Sequence, residues 1–194
     1  QMVLRAGTRW NSGSTSEILA RPHAWGMLDG TVRLVSNIYA GQMVDVRFSV
    51  ILAAYVYLTR GDHVLLQCRK GTGYMDGMWV AGAAGHIEWG ETAQAAALRE
   101  AAEELGIRID PAALRQLTVM QRTDGTSNPR EQRADWFFAA TDWSGEPAIM
   151  EPDKCAEIEW FDFSALPDAI PRYERVVLEM LAQGEVERFT SVGF

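Results

Sequence analysis

The sequence predicts an α+β domain, an α/β/α sandwich with a mixed β-sheet between helices, and three observations carry that expectation. Residues 47–59 (RFSVILAAYVYLT) form an apolar, β-branched and aromatic run with the composition of a buried strand. Residues 91–105 and 172–182 contain neither Gly nor Pro, are rich in helix formers, and are followed closely by Gly106 and Gly184, where C-cap glycines belong. The elements alternate as strands, helix, strands, helix, the order of a layered α+β or mixed-sheet fold.

Taken in order, residues 1–45 stand apart as an N-terminal extension or arm, irregular in Gly, Ser, Thr and Arg, with Trp10, Trp25 and a short strand-like run at 32–39. The folded domain is expected over residues 46–194. Arg60-Gly61-Asp62 is turn chemistry, and residues 63–69 (HVLLQCR) read as the returning strand of a hairpin. Residues 70–77 (KGTGYMDG) form a Gly-rich loop without the GK[ST] of a P-loop. A short strand is expected within 78–88. Beyond the first helix, 107–109 and 114–123 look like strand material, 124–132 is polar loop, and 133–141 is a strand with Trp136 and Phe138 on one face. Residues 142–147 turn, 157–161 is a strand, and 188–194 is a final strand or tail.

The chain has 194 residues, 47% of them hydrophobic, enough for a substantial core. No apolar run reaches the roughly 20 residues that span a bilayer, and the expected location is the cytoplasm. Cys68 and Cys155 lie far apart in sequence and read as buried thiols rather than a disulfide framework or metal site. The net charge of −8 argues against polymeric nucleic acid and anionic membranes as partners. It is compatible with a small anion escorted by a metal.

The first helix carries the chemistry. On a helical wheel Ala95, Leu98, Ala101, Ala102 and Leu105 gather as a core face, while Glu100, Glu103 and Glu104 share another face at i, i+3 and i+4. Like charges at that spacing destabilise a helix. Either the face is solvated, or a hard divalent cation with oxygen ligands compensates it; Mg2+ bound by carboxylates and substrate phosphates suits best, with Mn2+ as an alternative.

The wider pattern decides between these. Gly85, five residues, Glu91, seven residues, Arg99-Glu100-Ala101, one residue, Glu103-Glu104, one residue, then Gly106-Ile107 resembles the Nudix box at every defined position. The stretch GEP…EPDKC…EWFDFSALP also resembles the tail of MutT-like members. The resemblance implies the Nudix fold and a Mg2+-dependent hydrolase of nucleoside diphosphates linked to another group, with a small-molecule nucleotide as substrate. It leaves a homodimer open. A (possibly oxidised) nucleoside triphosphate is the first expectation; ADP-ribose, a nucleotide sugar, or a non-catalytic nucleotide-binding module are the alternatives.

By the same resemblance, Glu100, Glu103, Glu104 and Arg99 would be catalytic, with Glu100, Glu103, Glu104 and Gly85 at the metal and Arg99 steadying Glu91. Arg69, Tyr74, His86, Glu151 and Lys154 are the substrate-binding candidates, with Trp79 and Trp136 as further stacking candidates. One departure stands out: Trp79-Val80-Ala81-Gly82-Ala83-Ala84-Gly85 has Ala83 where many members carry Pro, and one additional residue after Trp79.

Overall fold

The computed structural model describes residues 48–194; the arm and the strand-like run at 32–39 lie outside the described residues. Eight strands and two helices follow in the order β1 (Ile51–Arg60), β2 (His63–Arg69), β3 (Trp79–Ala81), β4 (Ala83–His86), α1 (Ala93–Leu105), β5 (Arg115–Arg122), β6 (Arg133–Ala140), β7 (Cys155–Asp162), α2 (Arg172–Gln183) and β8 (Phe189–Val192). They form one mixed sheet in the order β3-β2-β1-β6-β5-β8, with β4 on β1 and β7 on β2. β1 runs parallel to β6, pairing Tyr55 with Phe137, and β5 runs parallel to β8; β1 and β2 form the expected antiparallel hairpin.

Alternation along β1 divides the core. Tyr55 and Tyr57 point to one face with Phe137, Met120, Val177 and Leu178 of α2. Ala54, Val56 and Leu58 point to the other, against Ala97, Ala101 and Leu105 of α1. A helix on each face of a mixed sheet is the sandwich that the sequence predicts.

Three local expectations are corrected. The first helix begins at Ala93, not at residue 91, because the Thr92 hydroxyl caps it by accepting from the Ala95 N–H at 3.1 Å. Glu91 therefore sits in the preceding loop. Its buried face is Ala96, Ala97, Ala101 and Leu105; Ala95 and Ala102 are exposed and Leu98 is half-buried. The wheel is rotated because alanine is indifferent to burial, so small residues alone do not mark which side meets the sheet. Residues 107–109 do not form a strand: Ile107 and Ile109 are buried, but only Arg108 makes an isolated bridge, to Ser144.

Both helices end as expected on left-handed glycines, Gly106 at φ 69° and Gly184 at φ 71°. Removing the Thr92 cap leaves an orphan N–H at the start of the acidic helix. Thr92→Ala is expected to lower stability by about 1 kcal/mol in urea unfolding, while Thr92→Ser restores most of it.

Candidate active site

The acidic residues of α1 converge on β4 and the loop after it. Arg99 is the centre of this arrangement. Its Nε and Nη2 donate to the two oxygens of Glu91, each at 3.0 Å, a bidentate pairing. Nη1 donates to Glu100 Oε1 at 2.6 Å and to Glu103 Oε2 at 3.0 Å, and Nη2 also reaches the His86 carbonyl at 3.1 Å. Glu91 further accepts from the Glu88 N–H. One guanidinium thus joins the loop to the helix.

Glu104 turns toward the sheet. Its Oε2 accepts from Gln67 Nε2 at 3.0 Å and from the Ala84 N–H at 2.9 Å. Gly85 lies against Glu100: a Cβ there would overlap the Glu100 carboxylate. The glycine is needed for space at this point, whatever its backbone conformation. The segment with Ala83 in place of proline is two short strands with Gly82 between them, and Ala83 takes a ladder position opposite Val56 of β1.

Burial tunes these acids unequally. Burial raises the Glu104 pKa to about 7, with the Glu100 charge adding to the rise and the Ala84 N–H opposing it. Burial also raises Glu100, offset by its bond to Arg99, whereas hydrogen bonds from Arg99 hold Glu91 below the ordinary range. The fold's own hydrogen bonds use Oε1 of Glu100, Oε2 of Glu103 and Oε2 of Glu104. The other oxygen of each remains available. Hard carboxylate oxygens with no nitrogen or sulfur among them suit Mg2+. Among the described residues no three acidic, His or Cys side chains yet close around one point, since Arg99 draws Glu100 and Glu103 toward itself.

A cleft of about 120 Å³ lies on the other side of β4 and shares it with the acidic cluster; Tyr55, Arg69, Tyr74, His86, Arg133 and Glu174 are among its walls, with Gly85 at its rim. Three of the expected substrate residues therefore meet there: Arg69, Tyr74 and His86. Arg69 spends Nε on the Tyr74 carbonyl and Nη2 on Thr72, so it shapes its loop. Glu151 and Lys154 are outside the cleft, paired with each other at 2.9 Å in the turn before β7, close enough for their charges to act on Glu100 and Glu104. The two tryptophans are packing residues. Trp79 meets Phe161 edge-on at 4.8 Å, and Trp136 rests on the α1 side of the core.

The cleft residues missed in the sequence are Tyr55, Arg133, Tyr173 and Glu174, with Arg122 and Asp135 behind them. Glu174 had a visible signal: on α2 it shares a stripe with Val177 and Leu178, so an acid stands in an apolar face. Arg122 had none, because its partner Asp135 comes from across the β5–β6 ladder; Arg133 and Asp135 share one face of β6, and nothing in that spacing marks the face as the wall of a cleft.

Comparison with known proteins places this geometry. A family model described as the NUDIX domain matches residues 50–181. The chain belongs to the Nudix family. Membership accords with the expectation of a Nudix hydrolase, and the mixed sheet with its two helices is the fold expected of it. The MutT NUDIX hydrolase from Burkholderia pseudomallei superposes with a TM-score of 0.61 at 27% identity, over 68% of this chain and 97% of that one. A bifunctional NMN adenylyltransferase/ADP ribose pyrophosphatase from Francisella tularensis shares the fold, with a TM-score of 0.57 at 18% identity over 71% of this chain and 42% of that one. In sequence, the isopentenyl-diphosphate Delta-isomerase of Jannaschia sp. (strain CCS1) is 30% identical over 119 residues, covering 61% of this chain and 67% of the relative.

Two predictions follow from the geometry. Gly85→Ala must displace Glu100 from Arg99; it is expected to weaken divalent-cation binding at least tenfold in calorimetric titration while the protein stays folded by circular dichroism. The second concerns pH. Glu104 and Glu174 both have folded pKa values of about 7, raised by burial, against about 4.3 for an unperturbed Glu. The folded chain binds more protons in that window, so metal-free stability falls as pH rises from about 4.3 to 7. Urea unfolding at pH 5 and pH 8 should show it, and Glu104→Gln should shrink the fall.

Proposed function

We propose that this chain is a Mg2+-dependent hydrolase that cleaves the pyrophosphate linkage of a nucleoside diphosphate derivative, most directly a nucleoside triphosphate, oxidised forms included, to monophosphate and pyrophosphate. The observation that carries this is the cluster of Glu100, Glu103 and Glu104 gathered beside Gly85 at the rim of a cleft able to take the rest of the substrate.

Glu100, Glu103 and Glu104 would hold the metal through their available oxygens, with the Gly85 carbonyl beside them. When bound, Mg2+ neutralises phosphate charge and lowers the pKa of a coordinated water. Arg99 holds Glu100 and Glu103 on the side of α1 that faces Gly85 and would release one oxygen of each toward a metal. A carboxylate of the trio would accept the proton from the attacking water. Lys154, tied to Glu151 and near enough to feel the charges of Glu100 and Glu104, would add a cation for the phosphate chain.

Two further readings have specific support. A neighbour titled ADP ribose pyrophosphatase keeps ADP-ribose and nucleotide sugars as candidate substrates. Relatives named isopentenyl-diphosphate Delta-isomerase keep an isoprenoid diphosphate as a candidate. The products separate them: an isomer retains both phosphates, whereas a hydrolase divides them. A non-catalytic module is disfavoured because Arg99, Glu100, Glu103 and Glu104 are all present. Among the described residues no helix is long and apolar enough to cross a membrane.

The test is product analysis with nucleoside triphosphates, ADP-ribose, UDP-sugars and isopentenyl diphosphate, each with and without Mg2+. A nucleoside triphosphate is expected to give monophosphate and pyrophosphate only when Mg2+ is present, and Glu103→Gln is expected to cut kcat by about 10²-fold or more. Conversion of isopentenyl diphosphate to an isomer, with no nucleotide cleaved, would replace this reading with the isomerase one.

A further inference from the structure

The face of the sheet opposite α1 holds an unusual amount of buried charge. Arg122 pairs with Asp135 at 2.5 Å, approaches Glu131 at 3.4 Å, and lies over the Tyr173 ring at 3.8 Å. Arg133 donates from Nε to Asp135 at 3.3 Å. Among the described residues that is its hydrogen bond to the fold, which leaves the terminal guanidinium nitrogens for the cleft that Arg133 lines.

Glu174 is fully buried at the same cleft. Its Oε2 accepts from the Tyr57 hydroxyl at 3.1 Å and from the Ala81 N–H at 2.5 Å. Its Oε1 has no hydrogen-bond partner, and among the described residues it is the buried side-chain polar atom left in that condition. The Tyr173 hydroxyl favours the charged carboxylate without completing a bond to Oε1. Leaving a buried acceptor unpaired costs about 1–3 kcal/mol, so a group that donates to Oε1 restores what the fold lacks.

The shape of the cleft narrows the ligand. Tyr55, Tyr74 and Tyr173 supply flat aromatic walls that suit a planar heterocycle. An aliphatic isoprenoid tail would leave both Glu174 and Arg133 unanswered. An acceptor on one side and a guanidinium on the other call for an N–H beside a carbonyl. Adenine presents an amino group and bare ring nitrogens on its edge; guanine presents N1–H and an amino group next to O6, and arginine is a favoured partner of guanine O6 and N7. At the rim, Gly85 touches Glu100 and the His86 carbonyl accepts from Arg99, so a base seated in the cleft directs its phosphates toward α1.

We propose that this cleft is the base-recognition subsite, in which Glu174 and Arg133 select a nucleobase with an N–H donor beside a carbonyl, of the guanine type. The assignment rests on the hydrolase reading above and deepens it by naming the substrate class. Glu174 is a specificity-determining residue, distinct from the acids that would hold the metal.

The wild-type protein is compared on GTP, N1-methyl-GTP and ATP with Mg2+. The subsite predicts kcat/KM for GTP at least tenfold above both others, because methylation removes the N1–H beside O6, and adenine has an amino group but no carbonyl next to it for Arg133. In Glu174→Gln the side-chain oxygen can keep the Tyr57 and Ala81 bonds while its NH2 takes the place of Oε1, turning an acceptor into a donor. The GTP:ATP ratio is then expected to fall by tenfold or more. If that variant does not fold, the wild-type series decides alone. Equal turnover of GTP, N1-methyl-GTP and ATP would overturn the subsite and leave the hydrolase reading standing. Absence of Mg2+-dependent cleavage of every nucleotide would overturn the hydrolase reading, and the subsite with it.

Discussion

The Arg99 guanidinium donates five hydrogen bonds, to Glu91, Glu100, Glu103 and the His86 carbonyl, and the rest of the site depends on them. Carboxylates packed this closely repel one another and would splay into water without a fixed cation among them. A planar fork suits the task better than a lysine, because it holds Glu91 bidentately while its remaining nitrogen serves the helix. The same contacts tie the loop at residues 86–91 to α1. The helix entry, the end of β4 and the acidic face are therefore set by one side chain. Arg99 supplies one positive charge to three carboxylates, Glu91, Glu100 and Glu103, and the surplus is what a divalent cation would answer.

The sheet separates two kinds of buried acid. On the α1 side, Glu104 is half-buried near the carboxylates of Glu100 and Glu151. On the α2 side, Glu174 is buried at the cleft, accepting from the Tyr57 hydroxyl and the Ala81 N–H. Burial raises both to about 7, yet their surroundings fit different tasks: like charges suit a metal and a proton transfer, whereas a cleft with aromatic walls suits recognition. β4 lies between them, four residues long, with Ala84 bonded to Glu104 and Gly85 pressed on Glu100.

The α1 site was legible in the sequence because it is local. Gly85 to Ile107 fixes the identity and spacing of every residue around Arg99, and both glycine caps could be read directly. The hairpin, β5, β6, β7 and α2 were recovered from composition within a few residues, since their apolar runs are long. Alanine misled at the helix face: Ala95 and Ala102 are exposed while Ala96 and Ala97 are buried, a distinction that depends on how α1 seats on β1 and β4. The cleft was not legible. Tyr55, Arg133 and Glu174 come from three elements brought together by the parallel β1–β6 pairing and the return of α2, and only Glu174 betrayed itself by interrupting an apolar stripe.

The central claim is that the acids around Arg99 form a cation site, and Mn2+ binding tests it most directly. Titration followed by the electron paramagnetic resonance signal of free aqueous Mn2+ needs no substrate and no assumption about turnover. Wild-type protein should remove Mn2+ from solution saturably, and the Glu100→Gln/Glu104→Gln double variant, folded by circular dichroism, should not. Equal Mn2+ uptake by both proteins would contradict the account and place the metal elsewhere.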